Sequence, residues 1–92
     1  MNKEKYWNPD VTDDEIMGIF IEKKESVGEY KSNLYKIQNG DEIINVWGKK
    51  HLDSLMDLVS VGDKIILRYV GTEEVNDHQM KKFELELLNE WK

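Results

Sequence analysis

Asn39-Gly40 is the feature that most narrows the fold, because it lies between two runs that each read as a β-strand. Both residues accept a positive φ at little cost, which is what a tight primed hairpin turn requires. The flanking runs are Ser32 to Gln38 and Glu42 to Gly48. Antiparallel pairing across the turn fixes which side chains share a face. Tyr35, Ile37, Ile44 and Val46 fall on one side, are uniformly apolar, and read as core. Leu34, Lys36, Ile43, Asn45 and Trp47 fall on the other. A face that mixes an indole, a lysine and an amide with aliphatics is unusual for a purely solvated surface.

The segment Glu15 to Glu25 admits two assignments. Thr12 followed by Glu15 has the spacing of a helix capping box. Against it, Gly18 would lie in the helix interior beside Ile16, Ile19 and Ile21, and β-branched enrichment favours a strand with a bend or bulge at Gly18. A strand is the expectation. Lys49 to Val59 is an amphipathic helix, with Leu52, Leu55, Met56 and Val59 at helical spacing. Lys64 to Val70 alternates as a strand, Gly71 to Met80 reads as a polar turn region, and Phe83, Leu85 and Leu87 alternate with Glu84 and Glu86 in a last strand. Residues 1–14 read as an arm carrying Tyr6, Trp7 and Pro9, and residues 15–92 as one domain, with Trp91 near the end expected against it. The order strand-strand-strand-helix-strand-strand matches an all-β fold, a five-stranded Greek-key OB barrel with one helix. An open α+β sheet with one covering helix is the alternative.

Composition removes several classes of function. At 92 residues the chain is one domain with a modest core. It has no cysteine, so disulfides and thiolate metal sites are excluded. No stretch approaches the ~20 apolar residues of a membrane span. Met1-Asn2-Lys3-Glu4-Lys5 lacks the apolar run of a secretory signal, and the expected location is the cytoplasm. The net charge of -6 argues against a nucleic-acid partner until its distribution is considered. Lys23 to Lys50 contains six lysines against four acids, a local +2, while the segments before and after it carry -4 each. Such asymmetry confines an anionic ligand to one face, although a solvated strand edge with ordinary lysines has the same look.

An ordered series of small motifs covers nearly the whole chain: Trp7-x-Pro9, Ile16-x-Gly18, Gly28, Tyr35, Val46-Trp47-Gly48, Leu52-Asp53, Met56, Gly62-Asp63-Lys64, Leu67-x-Tyr69-x-Gly71 and Phe83-Glu84. In this series the chain resembles the small OB-fold single-stranded-DNA-binding proteins of bacteriophages and related mobile elements. The resemblance implies single-stranded DNA binding in replication or recombination without catalysis, in the cytoplasm, or the host cytoplasm for a phage-encoded protein.

The residues suggest how such a ligand would be held. A single strand bound without sequence preference needs flat π surfaces for bases and cations for phosphates. Trp47, Lys36, Leu34 and Asn45 on the outer hairpin face form the sharpest constellation. The competing placement packs Trp47 under the N-terminal arm. Phe20 joins the stacking track if Met17, Ile19 and Ile21 face inward, and enters the core if a bulge near Gly18 reverses that parity. Tyr30 and Lys31 close the preceding loop with a ring and a charge. Lys49 and Lys50 either contact phosphate or merely start the helix, and Arg68 either extends the basic track or pairs with Glu84 or Glu86.

Catalytic constellations are missing: there is no glycine-rich phosphate loop, serine elbow or cysteine nucleophile, and His51 and His78 lack metal-ligand spacing. The expectation is no enzyme, no metal and no cofactor. Single-stranded RNA as the ligand and a protein-interaction module, including self-association, remain the alternatives. The acidic 71–80 region and the aromatic arm suit the latter.

Overall fold

The computed structural model describes residues 3–88. Trp91, expected against the domain, lies outside the described residues. The chain is all-β with one short helix: β1 (Lys3–Tyr6), β2 (Glu15–Val27), β3 (Ser32–Asn39), β4 (Glu42–Trp47), α1 (Lys50–Met56), β5 (Lys64–Val75) and β6 (His78–Leu87). The strands form one sheet in the order β1-β4-β3-β2-β5-β6. Six strands are thus present among the described residues where five were expected. The extra one is part of the arm, with Lys3 to Tyr6 pairing parallel to Glu42 to Asn45.

The hairpin forms, but one residue later than the dipeptide suggests. Asn39 pairs with Glu42, leaving Gly40 and Asp41 as the two-residue loop. Gly40 has φ 62°, as the first loop position of a type II′ turn requires. Moving the turn by one residue slides the register by two, so the division into faces survives. Tyr35, Ile37, Ile44 and Val46 all lie in the core.

Ile65, Leu67, Tyr69, Phe83 and Phe20 complete the sheet's share of the core, and Leu52 and Met56 close it from α1. Each such side chain contributes about 1.5–3 kcal/mol by leaving water. At seven residues α1 is too short to be stable alone and is held by this packing. Trp7, just beyond β1, packs edge-on against Phe83 of β6 at 5.9 Å. The Lys81 ammonium donates to the Pro9 carbonyl at 2.9 Å. These contacts bring the chain that follows β1 against β6, in a barrel-like wrap.

Two expectations are corrected. Gly71 to Met80 is not a loop: β5 and β6 run on as a long hairpin whose turn is Asn76-Asp77, at φ 50° and 67°. Asn and Asp tolerate the left-handed region, which makes them a sound primed turn despite the acidic surroundings. The second correction is the parity of β2. Phe20 is 4% exposed and meets Tyr35 edge-on at 6.0 Å, whereas Met17 and Ile19 face solvent at 43% and 44%. Gly18 explains this, because a Cβ there would lie 2.5 Å from the Gln38 carbonyl oxygen and 2.8 Å from Ile37 Cγ2. The glycine occupies an inward slot that β3 fills, so its odd-numbered neighbours turn outward. Among the described residues no helix is long and apolar enough to cross a membrane.

Candidate nucleic-acid interface

The outer face of the β3–β4 hairpin divides at Trp47. On one side β1 lies along β4 and brings Glu4 and Tyr6 onto this face. The Lys36 ammonium donates to Glu4 Oε1 and to Asn45 Oδ1, each at 2.8 Å. Asn45 Nδ2 donates to Glu4 Oε1 at 3.1 Å and to the Lys5 carbonyl at 3.2 Å. The Lys36 ammonium, and then Asn45, hold the Glu4 carboxyl below its usual value. Tyr6 stacks on Trp47 with ring centroids 6.1 Å apart and planes 15° from parallel.

On its other side Trp47 borders a cleft of about 370 Å³ lined also by Gly28, Glu29, Tyr30, Ser32 and Lys49. The β2–β3 turn closes it. Gly28, at φ 77°, supplies the left-handed backbone the turn needs, and the turn there lies within ordinary contact distance of the indole. Tyr30 stands 86% exposed at the rim, and Lys31 follows it at φ 54°. Lys49 and Gly48 are held from below by a half-buried polar knot. Tyr35 donates its hydroxyl hydrogen to Asp53 Oδ1 at 2.5 Å, Asn33 Nδ2 donates to the same oxygen at 3.2 Å, and the Gly48 N–H donates to the Asn33 carbonyl at 2.7 Å. Burial first, and then the Asp53 hydrogen bond, push the Tyr35 phenol well above its ordinary value, so it stays a donor. This knot ties α1 to β3 and fixes where Lys49 leaves the sheet.

Trp47, Tyr30 and Lys49 are therefore brought together, with Lys31 in the same turn and Lys50 one residue beyond Lys49. Lys31, Lys49 and Lys50 take part in none of the ion pairs among the described residues.

The rest of the expected track is either buried or already paired. Phe20 is in the core, and Leu34 and Asn45 are 5% and 1% exposed, so none of the three offers a surface to a base. Lys36 is 13% exposed at its side chain and already carries Glu4 as counter-ion. Arg68 pairs with Glu15 Oε2 at 3.0 Å and Glu84 Oε1 at 3.2 Å, which places it outside the cleft and raises its basicity, Glu15 contributing most. The arm does cover one side of Trp47, through Tyr6, while the Trp7 indole N–H donates to Asp14 Oδ2 at 3.1 Å. Gly28 and Tyr6 complete the setting of Trp47 without having been singled out for it. Gly28 carries a signal in the sequence as the glycine of a short connection between two strands. Tyr6 carries none, since four residues of alternating charge and ring are too few to read as a strand.

Compared with protein-family models, curated proteins and solved structures, the chain matches none.

Proposed function

We propose that this chain binds single-stranded nucleic acid, DNA in the first instance, with a base entering the cleft between Trp47 and Tyr30 and phosphates meeting Lys31 and Lys49. The carrying observation is Trp47 itself. Its ring is half-buried, braced on one side by Tyr6, and opens on the other to a cleft with a second aromatic and a lysine. A ring held in place offers a stacking surface without losing rotamer freedom on binding. The OB-type reading is supported by the β2–β3–β4 meander, the following helix, and β5 returning antiparallel to β2. A role in replication or recombination rests on the motif resemblance alone.

Trp47→Ala is the test. Oligothymidine affinity should fall about tenfold or more, upwards of about 1.4 kcal/mol, with the fold retained by circular dichroism. Unchanged affinity removes the indole from the site. Parallel titrations with single-stranded RNA and duplex DNA decide among the nucleic acids.

A second reading draws on a separate surface. Met17 and Ile19 project from β2 at 43% and 44% exposure, as an apolar patch facing water. Self-association through that patch would appear as a mass that rises with protein concentration and is suppressed by Ile19→Lys.

A further inference from the structure

A second groove, of about 400 Å³, lies between the start of α1 and β6. It is lined by Lys49, Lys50, His78, Gln79, Met80 and Lys81, and so contains three ammonium groups and no carboxylate among its lining residues. That composition stands out in a chain of net charge -6. Lys49 lines both this groove and the Trp47 cleft. The two concavities therefore meet at one cation.

The walls are joined directly. The Phe83 N–H donates to His51 Nδ1 at 3.1 Å, pinning α1 to β6. Lys81 is aimed by the Pro9 carbonyl at 2.9 Å and by the Tyr69 ring, 5.5 Å from the ammonium. Its only carboxylate neighbour in an ion pair among the described residues is Asp10, 3.8 Å away and 90% exposed at its side chain. An exposed pair of that length is weak and readily exchanged for a phosphate. Lys82, the next residue, is paired instead with Glu73 at 3.1 Å and does not line the groove.

We propose that the backbone of the bound strand leaves the Trp47 cleft at Lys49 and continues through this groove, its phosphates meeting Lys50 and Lys81. The ligand class is a single-stranded phosphodiester chain, and the inference rests on the function proposed above. It assigns Lys50, Lys81 and the Gln79-Met80 wall to a second part of one site. The strand is thereby longer than the Trp47 cleft alone needs.

The test uses the full chain and two fluorescent oligothymidines, a trimer and one of about 15 residues, which brackets the footprint of a small barrel. The double variant Lys50→Glu/Lys81→Glu should bind the longer strand about tenfold more weakly while holding the trimer within about twofold. Its log-log salt slope should be shallower by roughly 1.4, two phosphate contacts at about 0.7 each. Lys82→Glu should leave both affinities unchanged. Should charge reversal disturb folding, Lys50→Gln/Lys81→Gln reads the same difference in the salt slope. Undiminished binding of the longer strand by the double variant, with Trp47→Ala still defective, overturns the path and leaves the function standing. Failure of the wild-type protein to bind either strand overturns both. Equal displacement of the longer strand by polyglutamate overturns the assignment to a phosphodiester chain.

Discussion

The two flanks of Trp47 are built from the same kinds of residue and end in opposite states. On the β1 flank an aromatic ring, a lysine and an amide meet a carboxylate delivered from the far end of the chain. Glu4 answers Lys36 and Asn45 together, and Tyr6 covers one side of the indole. On the turn flank Tyr30, Lys31 and Lys49 have a ring and cations but no carboxylate in an ion pair with them among the described residues. A lysine to which the fold has already given a counter-ion, as it has Lys36, has less to offer a phosphate than Lys31 or Lys49, which take part in no ion pair among the described residues. On the function proposed above, the β1 flank serves stability and the turn flank takes the ligand, and that division can be broken by experiment.

The largest expected effect is on the covered flank. Asn45 is 1% exposed and links Lys36, Glu4 and the Lys5 carbonyl. Asn45→Ala removes all three hydrogen bonds, two of them to the charged groups of Lys36 and Glu4, and bonds of that kind contribute about 1.5–3 kcal/mol. In a domain of this size each kcal/mol lowers the melting temperature by roughly 4–8 °C. Oligonucleotide affinity, measured well below the transition, should not move. A loss of affinity without a loss of stability would place ligand on the covered flank and erase the contrast.

The open flank should give the reverse pattern. Lys49→Glu replaces an exposed cation that caps no backbone N–H of α1, while the bond its residue makes to that helix, from the Asp53 N–H, is to the Lys49 carbonyl and survives the change. Melting should shift by no more than the roughly 0.5 kcal/mol typical of surface changes. Affinity should drop about fivefold to tenfold at low salt, and the salt slope should flatten by about 0.7. Equal affinities for wild type and variant at low salt would show that Lys49 meets no phosphate.

The hairpin faces were legible in the sequence because strand parity is a local property. Even a turn displaced by one residue left Tyr35, Ile37, Ile44 and Val46 in the core. Phe20 shows where parity reasoning loses its footing. By size Met17 and Ile19 are better core residues than Gly18, yet the close crossing of β3 reserves the inward slot for a glycine. The long β5–β6 hairpin was hidden for a different reason. Beyond Gly71 most residues up to the turn and back are exposed, so no apolar alternation marks the strands, and only Asn76-Asp77 signals the reversal. Least legible was the state of the lysines. Lys36 and Glu4 are 32 positions apart, and nothing periodic relates them. The aromatic and basic residue types of the site could be read, but which cations stay available depended on long-range pairing.

The smallest expected effect is a pH dependence confined to the covered flank. Hydrogen bonding from the Lys36 ammonium, followed by that from Asn45, lowers the Glu4 carboxyl below its ordinary 4.5. A carboxyl depressed in the folded chain favours folding above its unfolded value, and the benefit disappears as pH falls through the folded value. The contribution should therefore be complete above about pH 4.5 and lost below it. Unfolding midpoints for wild type and Glu4→Gln should differ at pH 6 and converge as the solution is acidified through that window. Because Glu4 is solvent-exposed, added salt should narrow the difference at pH 6 as well. A gap independent of pH would mean that Glu4 acts through packing alone, and that Lys36 is held on the covered flank by Asn45 without help from the arm's charge.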